Sequence, residues 1–395
     1  MLEILTVLLR WSIYVDLAII AVSAACLLRF YFRKAPALNA RKEYPGVSLI
    51  KPCHKAEDNE EENFDAYFKQ DYPGPLEVMF VVSSDKAPIV PLIQEYIARY
   101  PKVDARMVVS LTRDAFAKKT DAIHDGQLAA KYDFILLSDS DTIVRENYVT
   151  EMVACLEEPG VSLVTVPQVD VRMNNFASGF KVMGNTCDLI QFVILLDTFD
   201  KKKKVGWGHS MAYRRSEFDQ IPNNWDIMNR FLTDDQALPY LFTTSGRKVV
   251  WRNIYCPVEY SNKTLKDVIF QKRKWVAFQQ IAIGNRFLYL LALLAYPQIP
   301  ALFLMLLTGF SAESLGLFAL AAGARIGLSV LYEALFLKTL RMNLRYFWTI
   351  PLWDLAQIYF ILDGFFRSTL QVDGKTCRVV DRYYLETIPA KSTVS

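Results

Sequence analysis

Residues 134–141 read Phe-Ile-Leu-Leu-Ser-Asp-Ser-Asp. Four consecutive apolar residues are too few for a helix of their own and too continuous for a strand with one wet face. They predict a strand buried on both faces, as in a mostly parallel sheet covered by helices. The run stops at Asp139-Ser140-Asp141. At the carboxyl end of a strand in an open α/β sheet, side chains face the crevice where ligands bind. Two carboxylates separated by one small residue can converge there on one divalent cation, because such ions take hard oxygen donors and also grip phosphates. A polar turn capping the next helix has the same composition, so the remainder of the chain must separate the two.

A formal charge of +3 over 395 residues makes no global case for nucleic acid. Cys26, Cys53, Cys155, Cys187, Cys256 and Cys377 are dispersed, with neither zinc-type pairs nor a disulfide framework, and read as reduced single thiols. Apolar residues concentrate at both ends. Residues 11–32 can cross a bilayer despite Asp16, and Arg33, Lys34, Arg41 and Lys42 follow. This predicts an N-terminal transmembrane anchor over 1–35, retained because no cleavage site stands out, with the next domain on the cytosolic side.

Between 45 and 260 the texture becomes that of an α/β domain. Apolar runs at Val47–Ile50, Val78–Val82, Phe134–Leu137, Leu163–Val166 and Val249–Tyr255 alternate with helix-competent segments such as 89–100 and 115–131. Alternation of this kind predicts a mostly parallel sheet with helices on its faces. The first two strands lead into Lys51-Pro52-Cys53-His54 and Ser83-Ser84-Asp85, delivering polar residues to the edge that carries Asp139 and Asp141. Residues 261–282 read as an amphipathic interfacial segment containing Gln271-Lys272-Arg273-Lys274-Trp275. A C-terminal transmembrane region over 283–370 follows, with spans near 287–310, 315–337 and 346–366, then a tail over 371–395. The loop 311–314 lacks Lys and Arg whereas 338–345 holds Lys338, Arg341 and Arg345, which places the loops outside and inside respectively. The last span contains Asp354 and Asp363 and exits into Arg367, Lys375, Arg378 and Arg382, so it either crosses fully or lies re-entrant or in the interface.

Four features share the chemistry of a phosphate-bearing leaving group. Asp139 and Asp141 suit Mg²⁺ or Mn²⁺ against a diphosphate. Asp85, at a neighbouring strand end, can accept hydrogen bonds from a base or ribose, though a loop aspartate is more often a turn residue. Thr233-Asp234-Asp235 opens a helix, either as cap and dipole complement or as a general base, since one of two adjacent acids has its pKa raised by the other. The cations at 271–275 can anchor the chain in the interface or neutralise a departing pyrophosphate. Lys201–Lys204 is a solvated loop or a seat on anionic headgroups.

The order Asp85, Asp139-Ser140-Asp141, Asp235, Gln271-x-x-Lys274-Trp275 resembles the D, DxD, D, (Q/R)xxRW series of processive and lipid-directed family-2 glycosyltransferases. Lys51-Pro52, Glu62-Asn63-Phe64, Gln70-Asp71-Tyr72-Pro73 and Gly208-His209-Ser210-Met211-Ala212-Tyr213-Arg214-Arg215 narrow the resemblance to ceramide glucosyltransferases of family 21 and bacterial relatives acting on hopanoid lipids. The resemblance covers roughly 10–380. It implies a GT-A type nucleotide-sugar-binding domain with one N-terminal and about three C-terminal transmembrane helices. Position by position, it implies that Asp85, Lys119 and Asp234 serve the nucleotide sugar, and that Asp139 and Asp141 hold the metal and diphosphate. Asp235 becomes the catalytic base, and Gln271, Lys274 and Trp275 the motif near diphosphate and acceptor. Lysine stands where the family has arginine and cannot make its planar bidentate phosphate contact. Either Lys274 acts as a point charge or neighbouring Arg273 takes the role.

The implied reaction is inverting transfer of a hexose, glucose first, from a UDP-sugar to the hydroxyl of a membrane lipid, ceramide first, with Mn²⁺ or Mg²⁺. A hopanoid or diacylglycerol acceptor is the alternative within the superfamily, and an inactive membrane scaffold retaining a transferase domain is the alternative outside enzymes. Asp16, Asp354, Asp363, Arg325 and Glu333 in apolar spans would be the scaffold's evidence. The expected setting is a multi-pass protein with a cytosolic catalytic domain, in a bacterial inner membrane or in Golgi or ER membranes of a eukaryote.

Overall fold

The computed structural model describes residues 1–53, 60–111, 117–199, 206–231, 233–261, 263–283, 290–337, 344–366, 369–372, 375–379 and 385–387. By its internal contacts the chain divides into two units, one comprising Phe32–Val171 with Leu196–Glu259, the other Met1–Tyr31, Arg172–Leu195 and Tyr260–Ser395.

The first unit contains β1 (Val47–Cys53), β2 (Leu76–Val82), β3 (Asp104–Val109), β4 (Phe134–Ser138), β5 (Val161–Thr165), β6 (Gln168–Val171), β7 (Ser210–Arg214), β8 (Lys248–Trp251) and β9 (Cys256–Glu259). Seven of these form one sheet in the order β3-β2-β1-β4-β7-β5-β8, and β6 pairs separately with β9. All five strands expected from apolar runs are present in the large sheet. Two more complete it: the partly buried edge strand β3, and β7, which runs antiparallel to both β4 and β5 while the other pairs are parallel.

Burial on both faces explains the continuous apolar runs. Along β1, β2 and β4, residues of one parity (Val47, Leu49, Val78, Phe80, Leu136) join a core with Phe64, Phe68, Ile93, Tyr96 and Tyr148 from three helices. Phe64 and Phe68 stack on Phe80 with ring centroids 4.9 and 5.7 Å apart. Residues of the other parity (Ile50, Met79, Val81, Ile135, Leu137) are equally buried. There, helix Lys118–Ala129 packs on β1 and β2. Gly126 lets that helix come close, because a Cβ there would lie 2.6 Å from Ile50 Cγ2 and 3.2 Å from Val81 Cγ2.

The second unit is largely helical, with a small antiparallel sheet of Thr369–Val372, Lys375–Val379 and Leu385–Thr387. Leu2–Tyr31, 30 residues, and Ala312–Phe336, 25 residues, are long and apolar enough to cross a membrane. Of the three C-terminal spans expected from the sequence, only the middle one meets that test among the described residues. In the described part of 287–310, the chain forms a 3-10 turn at Leu291–Ala295 and a helix at Gln298–Leu307. Pro297 lacks an N–H, which divides the stretch, and a helix of 10 residues reaches about half of the ~30 Å hydrocarbon thickness. The last expected span is a helix of 17 residues, Ile350–Phe366. His54, Lys201–Lys204, Lys338, Arg341, Arg367 and Arg382 fall outside the described residues.

The close approach at Gly126 generates a test. Gly126→Ala is expected to destabilise the protein by about 1–3 kcal/mol through overpacking, despite alanine's better helix propensity. A melting midpoint equal to or above that of the parent chain would contradict the packing.

Candidate active site

The site forms at the carboxyl ends of β1 and β4, adjacent strands after which the chain continues toward opposite edges of the sheet, to β2 and to β5. Beyond Ser138, β4 opens into Asp139-Ser140-Asp141. The antiparallel register of β4 with β7 pairs Leu137 with Met211 and Ser138 with Ser210, so the next facing pair is Asp139 and His209. The Asp139 N–H donates to the His209 carbonyl over 3.2 Å. Facing residues in such a pair project to the same side, and the turn at Ser140-Asp141 brings Asp141 alongside. Ligand atoms of Asp139, Asp141 and His209 all lie within 4.8 Å of one another.

Buried polar struts hold this loop. Lys51, at the end of β1, is 0 % exposed and donates to the Asp139 carbonyl over 2.7 Å and to Asn63 Oδ1 over 3.2 Å. Asn63 in turn donates from Nδ2 to the Ser140 carbonyl. The Lys51 ammonium also sits 4.0 Å from the Tyr67 ring centroid, and the Tyr67 hydroxyl donates to the Thr142 carbonyl over 2.9 Å. Burial pushes the Lys51 ammonium down to about 8, against the opposing pull of Asp141 and Asp139. The loop carrying Gly206 to His209 is pinned as firmly. Gly206 N–H donates to the Asp235 carbonyl over 2.8 Å, and Trp207 donates to Thr165 Oγ1 over 2.7 Å and Gln168 Oε1 over 2.6 Å.

Lys119 links the two acidic motifs. From the first turn of its helix, its ammonium reaches Asp139 Oδ1 at 2.5 Å, Asp234 Oδ2 at 3.0 Å and the Gly208 carbonyl at 3.0 Å. Burial disfavours its charge, but the two carboxylates hold the ammonium well above the ordinary lysine value. A Cβ at Gly208 would lie 3.3 Å from Asp235 Cβ and 3.4 Å from both Asp235 Oδ2 and Lys119 Nζ. Glycine therefore keeps the space in front of Asp235 open.

Asp234 and Asp235 open the helix Asp234–Thr244. The adjacent acids are not equivalent. Asp234 is buried against Lys119, whereas Asp235 is partly exposed and accepts from the Thr233 hydroxyl on Oδ1. Burial, then the neighbouring Asp234 charge, raises the Asp235 carboxyl above its usual range, against the Thr233 hydrogen bond.

The donor set at Asp139, Asp141 and His209 fits a divalent ion. Asp141 Oδ1 and His209 Nδ1 are both buried and have no hydrogen-bond partner. Leaving a buried polar atom unpaired costs about 1–3 kcal/mol, and one cation would satisfy both. Asp85 is exposed in the loop after β2, within hydrogen-bonding distance of Ser84 Oγ at 3.4 Å. Gln271, Arg273, Lys274 and Trp275 belong to the other unit, on helix Leu265–Ile283. There Arg273 is engaged by the Tyr359 hydroxyl and by Asp363 at 3.3 Å, while the Trp275 ring centroid lies 5.2 Å from the Lys181 ammonium. Lys274 has no hydrogen-bond or ion-pair partner among the described residues.

Sequence reasoning gave no individual role to four contributors, His209, Lys51, Asn63 and Thr233, although it placed Lys51 at the edge that carries Asp139 and Asp141. The motifs Lys51-Pro52, Glu62-Asn63-Phe64 and Gly208-His209 carried resemblance, and only the antiparallel placement of β7 makes His209 a neighbour of Asp139.

This arrangement of sheet and acidic strand ends defines a GT-A-like glycosyltransferase fold. Mannosyltransferase PcManGT from Pyrobaculum calidifontis, solved with GDP-Man and Mn²⁺, superposes with a TM-score of 0.52 at 15% identity, covering 92% of this chain and 99% of the other. Within that fold class, the chain belongs to glycosyl transferase family 21, whose profile matches residues 13–382. It is similar to the ceramide glucosyltransferase of Candida albicans, 26% identical over 168 residues that cover 36% of this chain and 31% of the relative. Ceramide glucosyltransferase 3 of Caenorhabditis elegans is 28% identical over 140 residues, covering 35% of this chain and 30% of the relative. The aligned stretch thus spans about a third of the curated relatives' length.

The Lys51 strut makes a pH-dependent prediction. The folded chain sheds this proton near 8, while an unfolded lysine keeps it to about 10.4. Between those values the unfolded state binds more protons, so stability contributed at this site rises with pH. It is fully present above the unfolded value and lost as pH falls through about 8. The stability advantage of the parent chain over Lys51→Met is expected to grow between pH 7.5 and 9.5 in denaturant titrations. A difference that stays constant or shrinks would contradict the buried ammonium.

Proposed function

We propose that this chain is an inverting glycosyltransferase that moves a hexose, glucose as the first choice, from a UDP-sugar to the hydroxyl of a membrane lipid, ceramide as the first choice. The observation carrying the reading is the convergence of Asp139, Asp141, Lys119, Asp234 and Asp235 at adjoining strand and helix ends. Four carboxylates face two ammonium groups there, Lys51 and Lys119, which leaves a formal charge of −2 for a divalent ion to balance.

Each residue has a physical task. Asp139 and Asp141, with His209 beside them, would hold Mn²⁺ or Mg²⁺, which when bound supplies positive charge to the diphosphate leaving group. Lys119 is already beside Asp139 and can share its charge with phosphate oxygens. Asp235, with its raised carboxyl and an open approach beside Gly208, takes the proton of the acceptor hydroxyl. That oxygen attacks the anomeric carbon from the face opposite UDP, and the bond to the diphosphate breaks with inversion. Asp234 orients Lys119, and Asp85 serves the nucleotide from the end of β2. In the second unit, Lys274 carries the cationic role of the terminal motif with Gln271 and Trp275, because Arg273 is committed to Asp363 and Tyr359.

The acceptor class is supported by the names of the relatives and by two helices long enough to span a bilayer. A two-chain lipid stays in the membrane and a nucleotide sugar stays in water, so the reaction belongs at the membrane surface. Mass spectrometry of lipids from cells expressing the chain reports sugar and acceptor together, and separates ceramide from hopanoid and diacylglycerol products.

Asp235→Asn is expected to lower transfer by about 10²–10⁴-fold, the usual contribution of a general base, with UDP binding unchanged. Near-normal transfer by this variant would sink the assignment. Because the Asp235 carboxyl is raised and must be ionised to act, the parent's activity should fall on acidification at a pH above the ordinary carboxylate range. Thr233→Val, which removes a hydrogen bond favouring the ionised form, should move that acidic limb further upward.

A further inference from the structure

We propose that His209 is a direct metal ligand, completing a three-donor site with Asp139 and Asp141 that selects Mn²⁺ over Mg²⁺. This rests on the reading of the Asp139–Asp141 pair as the place where the metal binds, and deepens it by naming the ligand that sets metal identity.

Three observations point to the ring. The β4–β7 register and the Asp139 N–H to His209 carbonyl hydrogen bond make His209 the facing neighbour of Asp139, so its position is fixed by sheet pairing. Donor atoms of the three residues lie within 4.8 Å of one another, and two donors on one small divalent ion are at most about 4.2 Å apart at typical bond lengths of about 2.1 Å. Cis donors at those bond lengths lie about 3 Å apart, so the three side chains close on the ion by rotamer adjustment. Finally, His209 Nδ1 and Asp141 Oδ1 are both buried without a hydrogen-bond partner. A histidine serving only the packing would donate to or accept from a neighbour at that nitrogen.

The consequence is chemical selectivity. Mg²⁺ prefers an all-oxygen shell, whereas an imidazole in the set favours the first-row transition ions. Lys119, 2.5 Å from Asp139, repels an incoming cation. The site should therefore fill best when the ion arrives with the diphosphate, whose charge offsets the lysine.

The test is pulsed electron paramagnetic resonance on the purified full chain with Mn²⁺ and UDP, recording electron spin-echo envelope modulation from directly bound ¹⁴N. The parent chain should show a histidine-type ¹⁴N coupling that disappears in His209→Ala. In calorimetric titrations with UDP present, His209→Ala should weaken Mn²⁺ by about tenfold or more and Mg²⁺ by less than about threefold. Bound Mn²⁺ without ¹⁴N coupling in the parent would overturn the role of His209 and leave Asp139 and Asp141 as the metal site. Failure of the parent to bind Mn²⁺ with UDP would overturn both. The spectrum of the parent needs no variant, so a misfolded His209→Ala protein does not shield the proposal.

Discussion

One lysine ties the catalytic unit together. Lys119 brings its ammonium to the end of β4 through Asp139, to the start of the Asp234–Thr244 helix through Asp234, and to the pinned loop through the Gly208 carbonyl. Without a cation there, Asp139 and Asp234 would repel across a site with little water to screen them. The lysine makes the acidic geometry stable before any ligand arrives, and in the proposed reaction its charge is the one that meets the diphosphate. Structural and functional demands coincide at this one group.

The surrounding struts explain how two loops keep their shape at an open strand edge. Lys51 and Asn63 bond the carbonyls of Asp139 and Ser140, which turns the backbone of the pair into a fixed platform and leaves its carboxylates for ligand. Trp207 performs the same service for the Gly206–His209 loop through Thr165 and Gln168. Asp141 Oδ1 and His209 Nδ1, two atoms of the candidate metal site, are left without a hydrogen-bond partner.

Much of this was legible in the chain. Strands buried on both faces write themselves as continuous apolar runs, so β1, β2, β4, β5 and β8 could be read directly, and their ends named Lys51, Asp85 and Asp139. Edge strand β3 was hidden because its residues are only partly buried. The orientation of β7 was hidden for a deeper reason: Ser-Met-Ala-Tyr-Arg has the composition of a strand, but composition is indifferent to direction. With that direction unknown, His209 was simply part of a family-like motif. Among the described residues of the first expected C-terminal span, hydropathy sums over Pro297, which separates the turn Leu291–Ala295 from the helix Gln298–Leu307.

Charges within the apolar helices of the second unit bear on the scaffold alternative. Such charges mark a substrate or ion path when they are left available. Arg325 is not available. Its Nε and Nη2 bond Asp354 at 3.0 and 2.7 Å, Nη2 also reaches Asp188 at 2.8 Å, and Nη1 donates to the Cys187 carbonyl at 2.7 Å. Lys272 lies 3.4 Å from Asp188, and the Trp353 indole donates to the same carboxylate at 2.6 Å. Asp363 is matched with Arg273. A network with its donors spent on neighbouring segments fastens helices together, and removing one partner would strand a buried charge at a cost of about 3–5 kcal/mol. Arg325, Asp354 and Asp363, which looked like evidence for a transport path, are therefore internal fastenings of the second unit, and only Asp16 among the acids Asp16, Asp354 and Asp363 keeps a buried carboxylate oxygen, Oδ2, without a hydrogen-bond partner among the described residues.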